Sequence, residues 1–248
     1  MPRPAVHIGP KTLVEASAPR LQIGPYHTTS SALHSLEFTG NLRPWPGFLS
    51  AVQNTHDSYA WRNECLGLSL RTRDPYTYGN VVVGDEHGVQ GRFHKYFGDT
   101  MNAVFNSQSM GMRFANFKCI QSTYSGIPDV ILMDDNHQLK VVGELKVPWI
   151  RDHDIAKNYY RRDGLRKILA QPIQYMQALG CVHEFLSNYD QTILGATSAF
   201  PVVPLSPTAL KAFFGLDESA SSCVLDALRE IDCNEELPLL LLFLYRQL

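Results

Sequence analysis

The chain has 248 residues, 44% hydrophobic and 19% charged, with 22 basic against 24 acidic side chains. That apolar share excludes disorder as the main state, and the length allows a sizeable buried core. A formal net charge of −2 excludes a uniformly basic nucleic-acid binder but leaves room for a local basic patch.

Seven of the fifteen prolines fall within the first 46 residues, mixed with Gly, Ser and Thr. Residues 1–60 are therefore expected to form an irregular N-terminal arm, and 61–248 a single domain with a helical C-terminal extension. The first twenty residues lack the apolar core of a signal peptide. Cysteines at 65, 119, 181, 223 and 233 form no Cys-x-x-Cys pair, which argues against a disulfide framework and a zinc site. Both features point to an intracellular protein, nuclear or cytoplasmic.

Residues 85–105 carry Val89, Phe93, Tyr96, Phe97, Met101, Val104 and Phe105 at steps of three and four, which predicts an amphipathic helix. Gly88, Gly91 and Gly98 each cost that helix up to about 1 kcal/mol. A strand is expected over 113–121, and two more over 130–133 and 139–147 around the polar turn Asp134-Asp135-Asn136-His137. Residues 155–180 read as helical, 191–196 as a strand, and 207–214, 219–231 and 237–247 as helices. The apolar run 237–245 is far short of the roughly 20 residues that span a bilayer, so it is expected to bury a helix and no membrane partner is implied. This order predicts an α/β or α+β fold, a mixed sheet flanked by helices.

The chemistry concentrates in that hairpin. Side chains on a strand alternate faces, so Glu144 and Lys146 point one way while Leu145 and Val147 point into the core. A hairpin closed symmetrically about Asn136-His137 sets Asp129 opposite Glu144 on the same face. Opposed like charges destabilise a sheet unless a cation sits between them or water reaches both. Two carboxylates, a lysine and a backbone carbonyl make a hard, oxygen-rich site suited to Mg²⁺ or Mn²⁺. A solvated hairpin face is the alternative, and a loop of odd length would break the register.

Pro128-Asp129 followed by Glu144-x-Lys146 resembles the PD-(D/E)xK motif of the restriction-endonuclease-like nuclease superfamily. Gln171-Pro-Ile-Gln-Tyr175 resembles the Gln-x-x-x-Tyr motif of its RecB-like and lambda-exonuclease-like branch. The stretch 142–149, with 165–171 and 185–193, is also similar to a group of fungal proteins that carry a PD-(D/E)xK-like domain. The resemblance spans about 86–195 and implies a restriction-endonuclease-like core. It implies metal-assisted hydrolysis of a phosphodiester, with Asp129 and Glu144 holding one or two divalent ions. Lys146 would orient the attacking water or stabilise the pentacovalent state, and Gln171 and Tyr175 would position the strand. A helix ahead of the motif strands commonly supplies a further Glu and, in RecB-like members, a His ligand. Glu86 and His94 match these roles by position, with Asp85 and Glu64 as rivals for the Glu. Pro172 departs from the pattern and is expected to kink the helix or start a new one.

Residues 157–167 hold Lys157, Arg161, Arg162, Arg166 and Lys167 against one acid, with Tyr159 and Tyr160 among them. Beside a carboxylate cluster, this local excess suits a phosphate backbone, and a tyrosine there can stack on an unpaired base. The expected partner is nucleic acid, DNA ahead of RNA. No Gly-rich phosphate loop, Gly-x-Ser-x-Gly or His-Glu-x-x-His motif occurs. Two other readings stay open: a nuclease fold that has lost catalysis and binds or regulates, and an enzyme that reuses the pocket for a small metabolite.

Overall fold

Apolar side chains in the first sixty residues are enough to give the arm short regular elements. The computed structural model describes residues 6–30, 36–42, 45, 47–62, 66–68 and 81–197. Strand β1 (Val6–Ile8) leads into helix α1 (Pro10–Glu15), where Pro10 supplies a φ already suited to a first turn and Leu13 and Val14 are buried. Strand β2 (Gln22–Ile23) follows, then helix α2 (Phe48–Ser58), which buries Val52. Strand β3 (Leu66–Leu68) pairs antiparallel with β1, and β4 (Val82–Val83) pairs parallel with β2. The arm is thus partly regular, and α2 corrects the expectation of an irregular segment through residue 60.

The amphipathic stretch forms as expected, but not as one uniform α-helix. Asp85 caps helix α3 (Glu86–Phe93), its Oδ1 accepting the Gly88 N–H at 2.8 Å. A π turn over His94–Gly98 joins α3 to α4 (Asp99–Gln108). Strand β5 (Met112–Ala115) is shorter than expected, because the Asn116 side chain accepts the Lys118 N–H and a 3₁₀ turn takes over at Phe117–Cys119.

Strands β6 (Val130–Asp134) and β7 (Leu139–Leu145) make the expected hairpin. Val130 faces Gly143, Ile131 faces Val142 and Leu132 faces Val141, the register of a turn centred on Asn136-His137. Nearer the tip Met133 faces Leu139, which leaves Lys140 as an unpaired extra residue. The loop itself is odd, and the bulge at Lys140 restores the register before the strands reach Asp129 and Glu144. Helices α5 (Ile155–Tyr159) and α6 (Arg162–Leu179) then cross over the sheet. Helix α6 runs through Pro172 as a single element, so no new helix begins there.

Strand β8 (His183–Ser187), absent from the sequence-based expectation, pairs parallel with β7, and β9 (Thr192–Ala196) closes the sheet antiparallel to β8. The mixed sheet has the order β5-β6-β7-β8-β9. One face packs Val130, Leu132, Val141, Leu145 and Phe185 against Phe93, Met101, Val104 and Phe105 of α3 and α4. The other face packs Val142 and Leu186 against Ile168, Leu169, Ile173 and Met176 of α6. Each such fully buried side chain contributes about 1.5–3 kcal/mol, so this two-sided burial fixes the central strand. The chain is therefore a mixed α/β fold with helices on both faces of a five-stranded sheet.

The helices expected over 207–214, 219–231 and 237–247 lie outside the described residues, as do Glu64, Cys65, Cys223 and Cys233. Cys119 and Cys181 are free thiols, and no described helix is long and apolar enough to cross a membrane.

Candidate metal centre

Three segments deliver three carboxylates to one point. Glu86 is the first residue of α3, Asp129 immediately precedes β6, and Glu144 lies near the end of β7. One oxygen from each lies within 4.8 Å of the other two. The hairpin register brings Asp129 and Glu144 to one face, and the Asp85 cap fixes where α3 begins and so where Glu86 stands.

Each side chain is held. Asp129 Oδ2 accepts the Leu145 main-chain N–H at 2.8 Å, and the Asp129 carbonyl accepts from Gln90 Nε2 at 2.8 Å. Gly143 gives Phe185 its place, since a Cβ there would collide with the Phe185 ring, which stacks on Phe93. Glu144 and Lys146 are 2% and 6% exposed, and Lys146 Nζ donates to Glu144 Oε1 at 2.5 Å. Lys146 also lies 3.7 Å from Glu86 Oε2 and 3.4 Å from Gln171 Oε1. Gln171 Nε2 donates to Tyr175 Oη at 2.7 Å, and Tyr175 donates to the Ile127 carbonyl at 3.4 Å. Helix α6 is thereby tied both to the lysine and to the segment that leads into Asp129. The one-turn spacing of Gln171 and Tyr175 survives Pro172.

Burial dominates the electrostatics. It pushes the Asp129 carboxyl up to about 6, against the Leu145 N–H that favours the ionised form. Burial and then the Asp129 charge push Glu144 up to about 8. Burial works against the Lys146 ammonium too, but the charges of Glu144 and Glu86 outweigh it and hold the ammonium above its ordinary value. Burial raises the Tyr175 phenol to about 12, so at neutral pH it remains a donor. With one lysine among three acids, the group carries excess negative charge or keeps a proton. A divalent cation relieves exactly that excess. The donor set fits such an ion: all three ligands are hard oxygens, and Glu144 Oε2 is buried without a hydrogen-bond partner.

Not every expected site residue joins the group. His94 sits on the π turn with Nε2 3.3 Å from the Asp129 carbonyl, so it contacts the backbone behind the carboxylate and not the oxygens of the cluster. Asp85 serves as the helix cap. Of the basic residues, Lys157, Arg161 and Lys167 are exposed, beside the exposed rings of Tyr159 and Tyr160. Arg162 is the first residue of α6. Arg166 is 8% exposed, and its Nη1 donates to the Phe38 and Gly40 carbonyls at 2.6 Å each. It clamps the arm to α6 and is spent as a phosphate contact.

Three further residues belong to the neighbourhood. Gln90 follows Glu86 by four positions and so shares its helix face, a spacing that could have pointed to it. Glu184 is 2% exposed on β8 with Oε2 unpartnered, and burial followed by the Glu144 charge pushes it up to about 8. His153 is buried with Nδ1 3.0 Å from the Val147 carbonyl, and burial lowers its pKa. No local pattern in the sequence marks the last two.

No family model matches the chain, and no curated protein and no solved structure matches it.

Proposed function

We propose that the chain is a divalent-metal-dependent nuclease that hydrolyses phosphodiester bonds, DNA ahead of RNA, and that its sheet is a restriction-endonuclease-like core of the PD-(D/E)xK type. The observation that carries this reading is the convergence of Glu86, Asp129 and Glu144 oxygens within 4.8 Å, with the Lys146 ammonium against them. The order of elements supports the finer fold reading: a helix bearing Glu86, the motif hairpin, a crossover helix bearing Gln171 and Tyr175, and a parallel strand beside β7.

Glu86, Asp129 and Glu144 would hold Mg²⁺ or Mn²⁺, which when bound lowers the pKa of a water and offsets charge on the phosphoryl oxygens. Asp129 is aimed by the Leu145 N–H, so its second oxygen is free for the ion. Lys146 keeps its proton at Nζ and presents fixed positive charge where the phosphoryl group gains negative charge. Gln171, held by Tyr175, limits the positions that ammonium can take. Lys157, Arg161 and Lys167 lie exposed along the crossover and suit the sugar–phosphate backbone.

The test is incubation with linear, circular and single-stranded DNA and with RNA, each with Mg²⁺, Mn²⁺ or EDTA. Cleavage of at least one substrate that EDTA abolishes is the expected result. Binding without cleavage would move the reading to a nuclease fold kept for recognition, and neither would end it.

A further inference from the structure

The N-terminal arm runs along the segment that leads into α3. The Gly24 N–H donates to the Val83 carbonyl at 2.9 Å and the Thr28 N–H to the Gly84 carbonyl at 2.8 Å. Residues 24–28 therefore run beside β4 up to Asp85, the neighbour of Glu86. Gly84 makes this approach possible, because a Cβ there would lie 2.8 Å from the Tyr26 carbonyl oxygen. At the other end Trp149 Nε1 donates to the Thr28 carbonyl at 2.9 Å, and the His27 and Trp149 rings meet edge to face at 5.5 Å. Trp149 follows Lys146 by three residues. The arm is pinned between the residues entering Glu86 and those leaving Lys146.

This crossing makes an open cleft of about 840 Å³, lined by Tyr26, His27, Thr28, Thr29, Val82 and Asp85 among others. Tyr26 is 94% exposed although hydrogen bonds fix the backbone on both sides of it, and Val82 in the same lining is 57% exposed. The carboxylate of the lining is Asp85, which repels a phosphate. A flat apolar face with polar edges suits the same lining, through the tyrosine ring, the Val82 side chain and the Thr28 and Thr29 hydroxyls. Asp85 lines the cleft and leads directly into Glu86, so the cleft borders the start of the helix that carries one of the three carboxylates.

We infer that this cleft is a nucleobase subsite, in which Tyr26 stacks on an unpaired base flanking the phosphate held at the carboxylate cluster. The inference rests on the nuclease reading and sharpens its substrate class. A base inside a duplex hides its face in the stack, so the subsite takes a single strand or a frayed end. The arm then contributes to substrate choice from outside the sheet that carries the carboxylates.

Affinity is measured with Ca²⁺ present for a single-stranded DNA oligonucleotide, for the same oligonucleotide with an abasic position stepped along it, and for a blunt duplex. Tyr26→Ala should weaken single-strand binding roughly tenfold, the size of one base–aromatic stack, and leave duplex binding unchanged. Tyr26→Phe should bind like the parent. One abasic position should weaken the parent by a similar factor and add nothing to Tyr26→Ala. Equal single-strand affinity of Tyr26→Ala and parent overturns the subsite. If the parent still shows metal-dependent cleavage, the nuclease reading survives that result. A parent that neither binds nor cleaves any nucleic acid removes both.

Discussion

Asp129 Oδ2 accepts the Leu145 main-chain N–H at 2.8 Å, so the side chain just ahead of β6 takes up the last main-chain donor of β7. The bond orients the carboxylate without using its second oxygen. Asp129→Asn can keep the acceptor while removing the charge a hard cation needs. It should fold like the parent, bind Mn²⁺ more weakly by calorimetry, and lose about 10²–10³ in hydrolysis rate.

Glu144 and Lys146 are in direct contact but should fail differently. Glu144→Gln keeps size and hydrogen bonding, so raising Mn²⁺ should partly restore cleavage by mass action. Lys146→Ala leaves the three ligand carboxylates in place and should show little such rescue. Titrating Mn²⁺ against initial rate separates the two. Cleavage that persists in both variants would place the chemistry elsewhere.

Cation binding and pH are linked through Asp129 and Glu144, raised to about 6 and about 8. Both must shed protons to ligate, so the affinity for Mg²⁺ should rise between pH 6 and 8. The gain in Tm from a fixed Mg²⁺ concentration should grow over the same range. A shift independent of pH would mean that the ion binds other groups.

Glu184 gives the metal-free protein its own pH dependence. Its carboxyl is raised by burial to about 8, so the folded chain holds a proton that the unfolded chain has already released. The associated stability is complete below the ordinary carboxylate range, near pH 4, and is lost as pH rises towards 8. Denaturant midpoints should fall from pH 5 to pH 8 without metal. Glu184→Gln should flatten that decline, and an unchanged slope would refute the assignment.

The basic stretch divides into exposed and buried members. Replacing Arg161 and Lys167 by Ala should flatten the slope of log K against log salt by about 0.7 to 0.9 per lost phosphate contact, with little change in stability. Arg166→Ala should instead cost about 2–3 kcal/mol of stability, since two carbonyls lose a charged donor, and leave the salt slope unchanged.

The hairpin and its acidic pair were legible because unbroken apolar runs, Val130–Met133 and Val141-Val142, flank a polar turn, and the two-residue period of a strand then fixes which side chains share a side. The odd loop could have undone this, and the bulge at Lys140 that repairs it carries no sequence signal. Strand β8 was missed because its apolar run is only two residues long. It is buried on both faces like the hairpin strands, but His183, Glu184 and Ser187 flank Phe185-Leu186, and the internal Glu reads as exposed. His94 lay on the expected helix, but it stands two turns beyond Glu86 and, like Gln90, meets the Asp129 carbonyl and not the carboxylates. Arg166 was grouped with its charged neighbours, although its burial depends on carbonyls of the arm more than 120 residues earlier in the chain.

The bulge at Lys140 also bears on how the hairpin can change length. Lys140 has no partner across the ladder, while Leu139 and Val141 on either side face Met133 and Leu132. Deleting Lys140 joins those two pairs into a continuous ladder and leaves Val130 opposite Gly143. The losses are an ion pair with Asp134, at 3.0 Å, and the hydrogen bond between the His183 side chain and the Lys140 backbone. A deletion between Gly143 and Lys146 would turn Glu144 or Lys146 to the opposite face. The hairpin therefore tolerates a one-residue deletion at its far end and none beside the carboxylates, which lets the tip vary in length while the cluster stays aligned.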